Sequence, residues 1–109
     1  MQIFIHDVTV SGGFRGADAD MQQGAVSMKL ALAGLPGLAF AGVRLFVERS
    51  DGVDQGLIVV EGASFNGVEF PAPTAMDQLE ADLRSAVLAD PGVQSVGKIR
   101  FHSLTALAV

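Results

Sequence analysis

The sequence predicts a single α+β domain in two layers, an antiparallel β-meander sheet with one helix of the C-terminal half packed on it. Short runs rich in β-branched and aromatic residues recur along the chain, and Asp-Gly and Asn-Gly pairs stand between them. One amphipathic helical pattern follows a pair of prolines. The chain has 109 residues, the size of one domain, so we assign residues 1–109 to one core.

The first predicted strand covers residues 2–10, where Ile, Val, Phe and Thr suit a pleated surface. Residues 11–24 are then dense in Gly, Asp and Ser, which no regular element tolerates. We predict a loop or arm there, and a long loop in a compact domain is usually functional or bound to something. Its large side chains and its acidic side chains are the predicted contacts to a partner. These residues are Phe14, Arg15, Asp18 and Asp20.

Residues 25–32 alternate between two faces, and this period of two favours a strand. A short helix is the competing interpretation, because Met, Gln, Ala and Leu favour helices. Gly34, Pro36 and Gly37 end the segment in either case.

Two β-rich runs, residues 38–49 and 56–62, flank a turn that contains Asp51 and Gly52. Asp-Gly is a strong hairpin signal because both residues accept positive φ. The pair at 66–67, Asn-Gly, repeats the signal and predicts a turn into a short strand at 68–70. A meander of three antiparallel strands follows from the two turns.

A helix is predicted after Pro73, with Thr74 at the N-cap position, where its hydroxyl can accept a hydrogen bond from a first-turn amide. Asp77 and Glu80 favour the positive end of the helix dipole, and Glu80 is spaced to pair with Arg84. Apolar residues at spacings of three and four form the predicted core face. They are Met76, Leu79, Leu83, Ala86 and Val87.

The sequence Asp90-Pro91-Gly92 is predicted to end the helix, because proline disfavours helical geometry at the residue before it. A last strand should then run from residue 93 or 94 toward residue 109. After Ser103 the apolar residues no longer alternate in step with those before it. We therefore expect either a bulge or a segment with both faces covered.

Composition limits the classes of function. Only 17% of the residues are charged, against about 25% in average soluble proteins, so we expect part of the surface to meet another protein. The net charge of −5 argues against nucleic acid as a partner, and no apolar stretch of about 20 residues suggests a membrane span. The absence of cysteine excludes thiolate catalysis and cysteine-ligated metals. The N-terminal residues lack the basic region of a signal peptide, so we expect no export by that route.

No catalytic, cofactor or metal constellation stands out. His6 and His102 lie on predicted strands, and with Asp7 they could approach a metal if those strands were neighbours. Two histidines without a third ligand at fixed spacing are more often ordinary surface residues. Residues 11–24 depart from both the calcium-loop and the phosphate-loop patterns, and no nucleophile elbow occurs. We therefore expect no enzyme, and a dispersed site would need one of the histidines to face a pocket.

Residues 79–96, LEADLRSAVLADPGVQSV, form a predicted helix, an Asp-Pro-Gly-Val turn and the start of a strand. This unit resembles one found in phage tail and baseplate proteins, including wedge proteins of contractile tails. It is also similar to stretches of periplasmic BON and POTRA modules and of heavy-metal-associated domains. The last of these need a Cys-x-x-Cys pair, which is absent, and the periplasmic modules usually follow an export signal. The resemblance to phage proteins implies a small subunit that works by being assembled.

The expected function is therefore a non-enzymatic structural subunit of a larger protein assembly, most plausibly a phage tail or virion component. Its partners would be other protein subunits, with an oligomer expected and a location in the virion or the cytoplasm. The alternative is a small acidic binding or regulatory module, of the inhibitor or immunity type, that captures a protein partner.

Overall fold

A computed structural model describes residues 1–10, 28–50, 53–90 and 92–102, and at 48–50 and 53–54 it describes the backbone alone. The elements in chain order are β1 (Gln2–Val10), α1 (residues 28–33), β2 (Leu38–Ala39), β3 (Gly42–Ser50), β4 (Val53–Glu61), β5 (Ser64–Phe65), α2 (Pro73–Leu88), β6 (Val93–Ser95) and β7 (Ile99–His102). The predicted α+β class is confirmed, since a mostly antiparallel sheet carries one main helix.

The main sheet has the strand order β3-β4-β1-β6, and β7 also pairs with β1. All of these pairings are antiparallel. β4 pairs along one side of β1, while β6 and β7 pair with the two ends of its other side. With α1 and α2 as the connections, the chain follows the β-α-β-β-α-β order of the ferredoxin-like, or split βαβ, arrangement. β2 and β5 pair separately as a small two-stranded sheet.

The core lies between one face of the sheet and the helices. Alternate residues of β1 and β4 point into it, and α1 and α2 cover them from the same side. Among the described residues, the largest fully buried side chains of this core are Ile3, Ile5, Val8, Met28, Leu32, Ile58, Val60, Leu79, Leu83 and Val87. The helices therefore leave the opposite face of the sheet to be covered by something else or to meet solvent.

The strand predicted at 25–32 is wrong for its described part, because residues 28–33 are helical. Met28 and Leu32 are buried, whereas Leu30 between them is 71% exposed. A strand would place all three on one face, but the spacing of four in a helix separates Leu30 from the other two. The helix-forming residues of this segment agree with that outcome.

The hairpin predicted from Asp-Gly forms, with Ser50 of β3 paired to Val53 of β4. β4 begins at Val53 rather than at residue 56, so the connection is tighter than predicted. The first run, 38–49, is divided between β2 and β3. Residues 51 and 52 themselves lie outside the described residues.

The Asn-Gly turn also forms, with φ of 52° at Asn66 and 78° at Gly67, but the strand predicted at 68–70 does not follow it. Phe65 and Val68 make one isolated bridge across the turn. The next residue after 70 is Pro71, which has no backbone N–H to continue a ladder. β5 pairs instead with β2.

α2 buries Leu79, Leu83 and Val87, with Met76 and Ala86 packed against the core, as predicted. Its start was predicted two residues too late. Pro73 is the first helical residue and Ala72 the N-cap, so Thr74 makes no capping hydrogen bond and the first turn holds no acidic residue. Proline suits this position because its missing N–H has no partner there anyway.

The other side-chain prediction for α2, a pair between Glu80 and Arg84, is also wrong. Arg84 donates from Nη1 to the carbonyl oxygen of Val96 at 2.8 Å, which ties α2 to the segment after β6.

The last strand is interrupted, since β6 and β7 are separated by residues 96–98. The interruption faces an irregularity in β1: His6 N–H donates to the carbonyl of Lys98 at 2.7 Å, and Gly97 N–H donates to the carbonyl of His6 at 3.0 Å. The continuation predicted toward 109 and the arm predicted at 11–24 lie outside the described residues.

Leu83→Ala should lower the free energy of unfolding by about 2–5 kcal/mol, because it leaves a cavity among fully buried core side chains. Leu88→Ala is the matched control on the same helix, at a side chain that is 43% exposed, and should cost less than about 1 kcal/mol. Urea unfolding followed by circular dichroism measures both. Equal losses would contradict the position of the core face of α2.

Candidate functional site

The sheet face that points away from α1 and α2, called the outer face below, is the candidate site. The strand register places Arg44, Val59, Phe4 and Arg100 side by side across it. None of the four belongs to the core cluster. Phe46 lies on the same face opposite Leu57 and is 50% exposed. The outer face thus combines an apolar centre with cationic side chains.

Both histidines lie on this face and contact the same aromatic ring. Phe4 stacks on His6 with the ring centroids 6.2 Å apart. It also meets the edge of His102 at 4.8 Å, at an interplanar angle of 83°. The antiparallel pairing of β1 with β7 brings the two imidazoles into one neighbourhood, as the metal hypothesis required. Among the described residues, however, no group of three or more metal-binding side chains occurs.

β1 carries a β-bulge at His6 and Asp7. Ile5 pairs with Ile58 and Val8 pairs with Gly56, so two residues of β1 oppose the single residue between them on β4. Asp7 has φ of 54°, a left-handed conformation that costs a non-glycine residue of the order of 1 kcal/mol. A bulge changes the direction of the side chains around it, and bulges are frequent next to binding sites.

The segment between β6 and β7 must approach this bulge closely, and Gly97 makes the approach feasible. A Cβ atom at Gly97 would lie 2.7 Å from Cβ of Asp7 and 2.9 Å from the carbonyl oxygen of His6. Both distances are shorter than normal contacts, so any larger residue would push the two segments apart. The two hydrogen bonds between His6 and residues 97–98 hold them together.

A pocket of about 250 Å³ opens at the bulge. Its polar lining consists of His6, Asp7 and Gln55. Its apolar lining includes Phe46 and Leu57. His6 therefore does face a pocket, the condition that a dispersed catalytic site would need. The arrangement offers one imidazole, one carboxylate and one amide beside apolar side chains, which suits the insertion of a partner side chain as well as a small ligand.

The charged side chains of the outer face differ in their pairing. Arg44 bonds to Glu61 across β3 and β4, with Nε 2.9 Å from Oε1. Lys98, Arg100 and His102, called the basic stripe below, occupy alternate positions beside β1 and are all exposed. Within the described chain, Lys98 and Arg100 have no acidic side chain bonded to them. The stripe is therefore free to bind carboxylates or other anions.

The residues predicted to bind a partner, Phe14, Arg15, Asp18 and Asp20, all lie outside the described residues, so that hypothesis stays a prediction. Sequence reasoning missed Phe46 and the basic stripe as site residues. The alternation of Lys98, Arg100 and His102 against Ile99 and Phe101 was a visible signal. Their position beside Phe4 and His6 was not, because it depends on the pairing of β7 with β1.

No protein-family model matches the chain, and no curated protein matches it. In the part of the chain that the structure describes, no helix has both the length and the apolar character needed to cross a membrane.

Gly97→Ala should lower the free energy of unfolding by about 1–3 kcal/mol, because the added methyl group collides with Asp7 and with the backbone of His6. Gly42→Ala is the matched control, since a Cβ at Gly42 meets nothing within 4 Å. Urea unfolding measures both variants, and amide hydrogen exchange at His6 and Gly97 should quicken only in the first. An unchanged stability of Gly97→Ala would contradict the close approach of this segment to the bulge.

Proposed function

We propose that the chain is a non-enzymatic structural subunit that works by assembly, with the outer face of its sheet as the main contact to other protein subunits. The observation that carries this proposal is the half-exposed Phe46 at the rim of the bulge pocket, on a face that neither described helix covers. A half-exposed aromatic side chain beside a pocket is typical of an interface centre.

The composition of the outer face supports the same proposal. Phe4, Phe46, Arg44 and Arg100 belong to residue types that are enriched at protein interfaces. The low fraction of charged residues in the whole chain, 17% against about 25% in average soluble proteins, also favours a surface that meets other proteins. A sheet face is broad and flat, so it can bury the roughly 800 Å² per partner of a standard interface.

We propose a phage tail or another virion component as the setting of this function. The resemblance of residues 79–96 to phage tail and baseplate proteins supports this setting, and a small subunit without a catalytic constellation in its sequence fits it. The alternative, an acidic module that captures one foreign protein, differs in stoichiometry: it predicts a monomer that binds its target one to one.

Phe46→Ser should weaken self-association by about tenfold or more while the domain stays folded, because it removes an aromatic anchor that is 50% exposed. Phe70→Ser is the matched control, the same substitution at a phenylalanine that is 47% exposed but lies outside the main sheet. Sedimentation equilibrium over a range of concentrations gives the association constants, and circular dichroism verifies folding.

Two results would refute the proposal. One is a wild-type chain that stays monomeric at every concentration. The other is an equal effect of the two substitutions, which would mean that the outer face has no special part in association.

A further inference from the structure

We infer that copies of this chain assemble head to tail, with the basic stripe of one copy bound to the acidic outer side of α2 in the next. The inference rests on the proposed function and adds the partner and the direction of assembly. It follows from a separation of charge between the two layers of the domain.

The first layer supplies the cations. The cationic side chains of the stripe are Lys98 and Arg100, both exposed, and the exposed His102 lies beyond Arg100 on β7. Arg100 and His102 lie two residues apart on β7, a spacing of about 6.8 Å, and Lys98 lies in the segment just before that strand. Among described side chains the ion pair of the outer face joins Arg44 to Glu61, and no described carboxylate is bonded to Lys98 or Arg100.

The second layer supplies the carboxylates. Asp77 lies one helical turn before Ala81, and both are exposed, while Glu80 and Asp82 are partly buried and flank Ala81 on opposite sides of the helix. Gln78 donates from Nε2 to Asp82 at 2.9 Å and so holds that carboxylate at the surface. The basic residue of this helix, Arg84, is turned toward the carbonyl of Val96. A strand edge can approach α2 closely at Ala81 with acidic groups on both sides.

The two surfaces fit each other better than either fits itself. A symmetric dimer through the outer face would bring each basic stripe toward a face of the same kind, and like charges at an interface cost several kcal/mol. Packing the stripe on α2 of a second copy brings opposite charges together instead. A head-to-tail contact uses two different surfaces per molecule, so it continues into rings or filaments. Such growth is what a structural subunit needs.

An anionic nucleic acid is the other occupant that a basic stripe could take. The net charge of −5 opposes that interpretation, because the rest of the molecule repels a polyphosphate backbone. The acidic α2 of a second copy requires no such compensation, and every molecule carries both surfaces.

The test uses two charge-reversal variants of the full chain. Arg100→Glu damages the stripe, and the double variant Asp77→Lys with Glu80→Lys damages the acidic side of α2. Each variant alone should associate at least about tenfold more weakly than wild type, because like charges now meet at the contact. Each variant keeps one intact surface, and the two reversed surfaces are again opposite in charge to each other, so an equimolar mixture should recover the association that neither variant shows alone. Sedimentation velocity distinguishes monomers, dimers and larger species.

Lys29→Glu is the control, because it makes the same charge change at an exposed position of α1 and should assemble like wild type. Lys98→Glu is a second stripe variant, for use if Arg100→Glu does not fold. It should weaken association to a similar extent. Raising the salt concentration from about 0.05 M to about 0.5 M should also weaken the wild-type assembly, because exposed charges are screened.

Three outcomes would overturn the inference. The α2 variant could assemble like wild type. This result would be compatible with assembly through the outer face, but it would show that α2 is not the surface that the stripe binds. The mixture of the two variants could stay monomeric. Finally, a labelled single-stranded oligonucleotide could bind wild type but not Arg100→Glu while self-association is equal in both. Failure of the proposed function itself is recognised separately, by equal association of Phe46→Ser and Phe70→Ser.

Discussion

β1 hydrogen-bonds to β4 along one side and to β6 and β7 along the other, so the main sheet is held together by the pairing of this single strand. Its alternating pattern fills the core on one face with Ile3, Ile5, Val8 and Val10 and leaves Phe4 and His6 on the other. The bulge at His6 and Asp7 interrupts this alternation once. The break between β6 and β7 and the pocket both lie at that point.

The bulge links stability to the candidate site. Asp7 adopts a left-handed conformation, and the surrounding hydrogen bonds of His6 to residues 97–98 hold it there. Backbone strain of this kind persists only when neighbouring structure enforces it. Here the neighbouring structure also carries Lys98 and, two residues on, Arg100. The pocket and the basic stripe are therefore positioned by the same local irregularity, and a change in one should be felt by the other.

The two layers of the domain have different chemistry. The outer face of the sheet carries Lys98, Arg100 and phenylalanine rings beside the ion pair of Arg44 with Glu61, while α2 carries three carboxylates and one arginine. The net charge of −5 does not reveal this difference, because it is a sum over the whole molecule and describes neither surface by itself. A division of charge over opposite sides of a small domain favours repeated, directional contacts between copies over closed symmetric pairs.

The sequence by itself determined the α+β class, β1, the hairpin of β3 and β4, and the core face of α2, because each depends on local periodicity and turn chemistry. The sequence predicted the wrong element at 28–33. Met28 and Leu32 share a face both in a strand and in a helix, and only the exposure of Leu30 distinguishes the two. The tertiary structure alone decided that β1 is central, that β7 brings His102 beside Phe4, and that Gly97 meets Asp7. The contacts of Phe4 with His102 and of Asp7 with Gly97 join residues about 90 or more positions apart in the chain, and all of these pairings follow from the packing of the whole domain rather than from any local pattern.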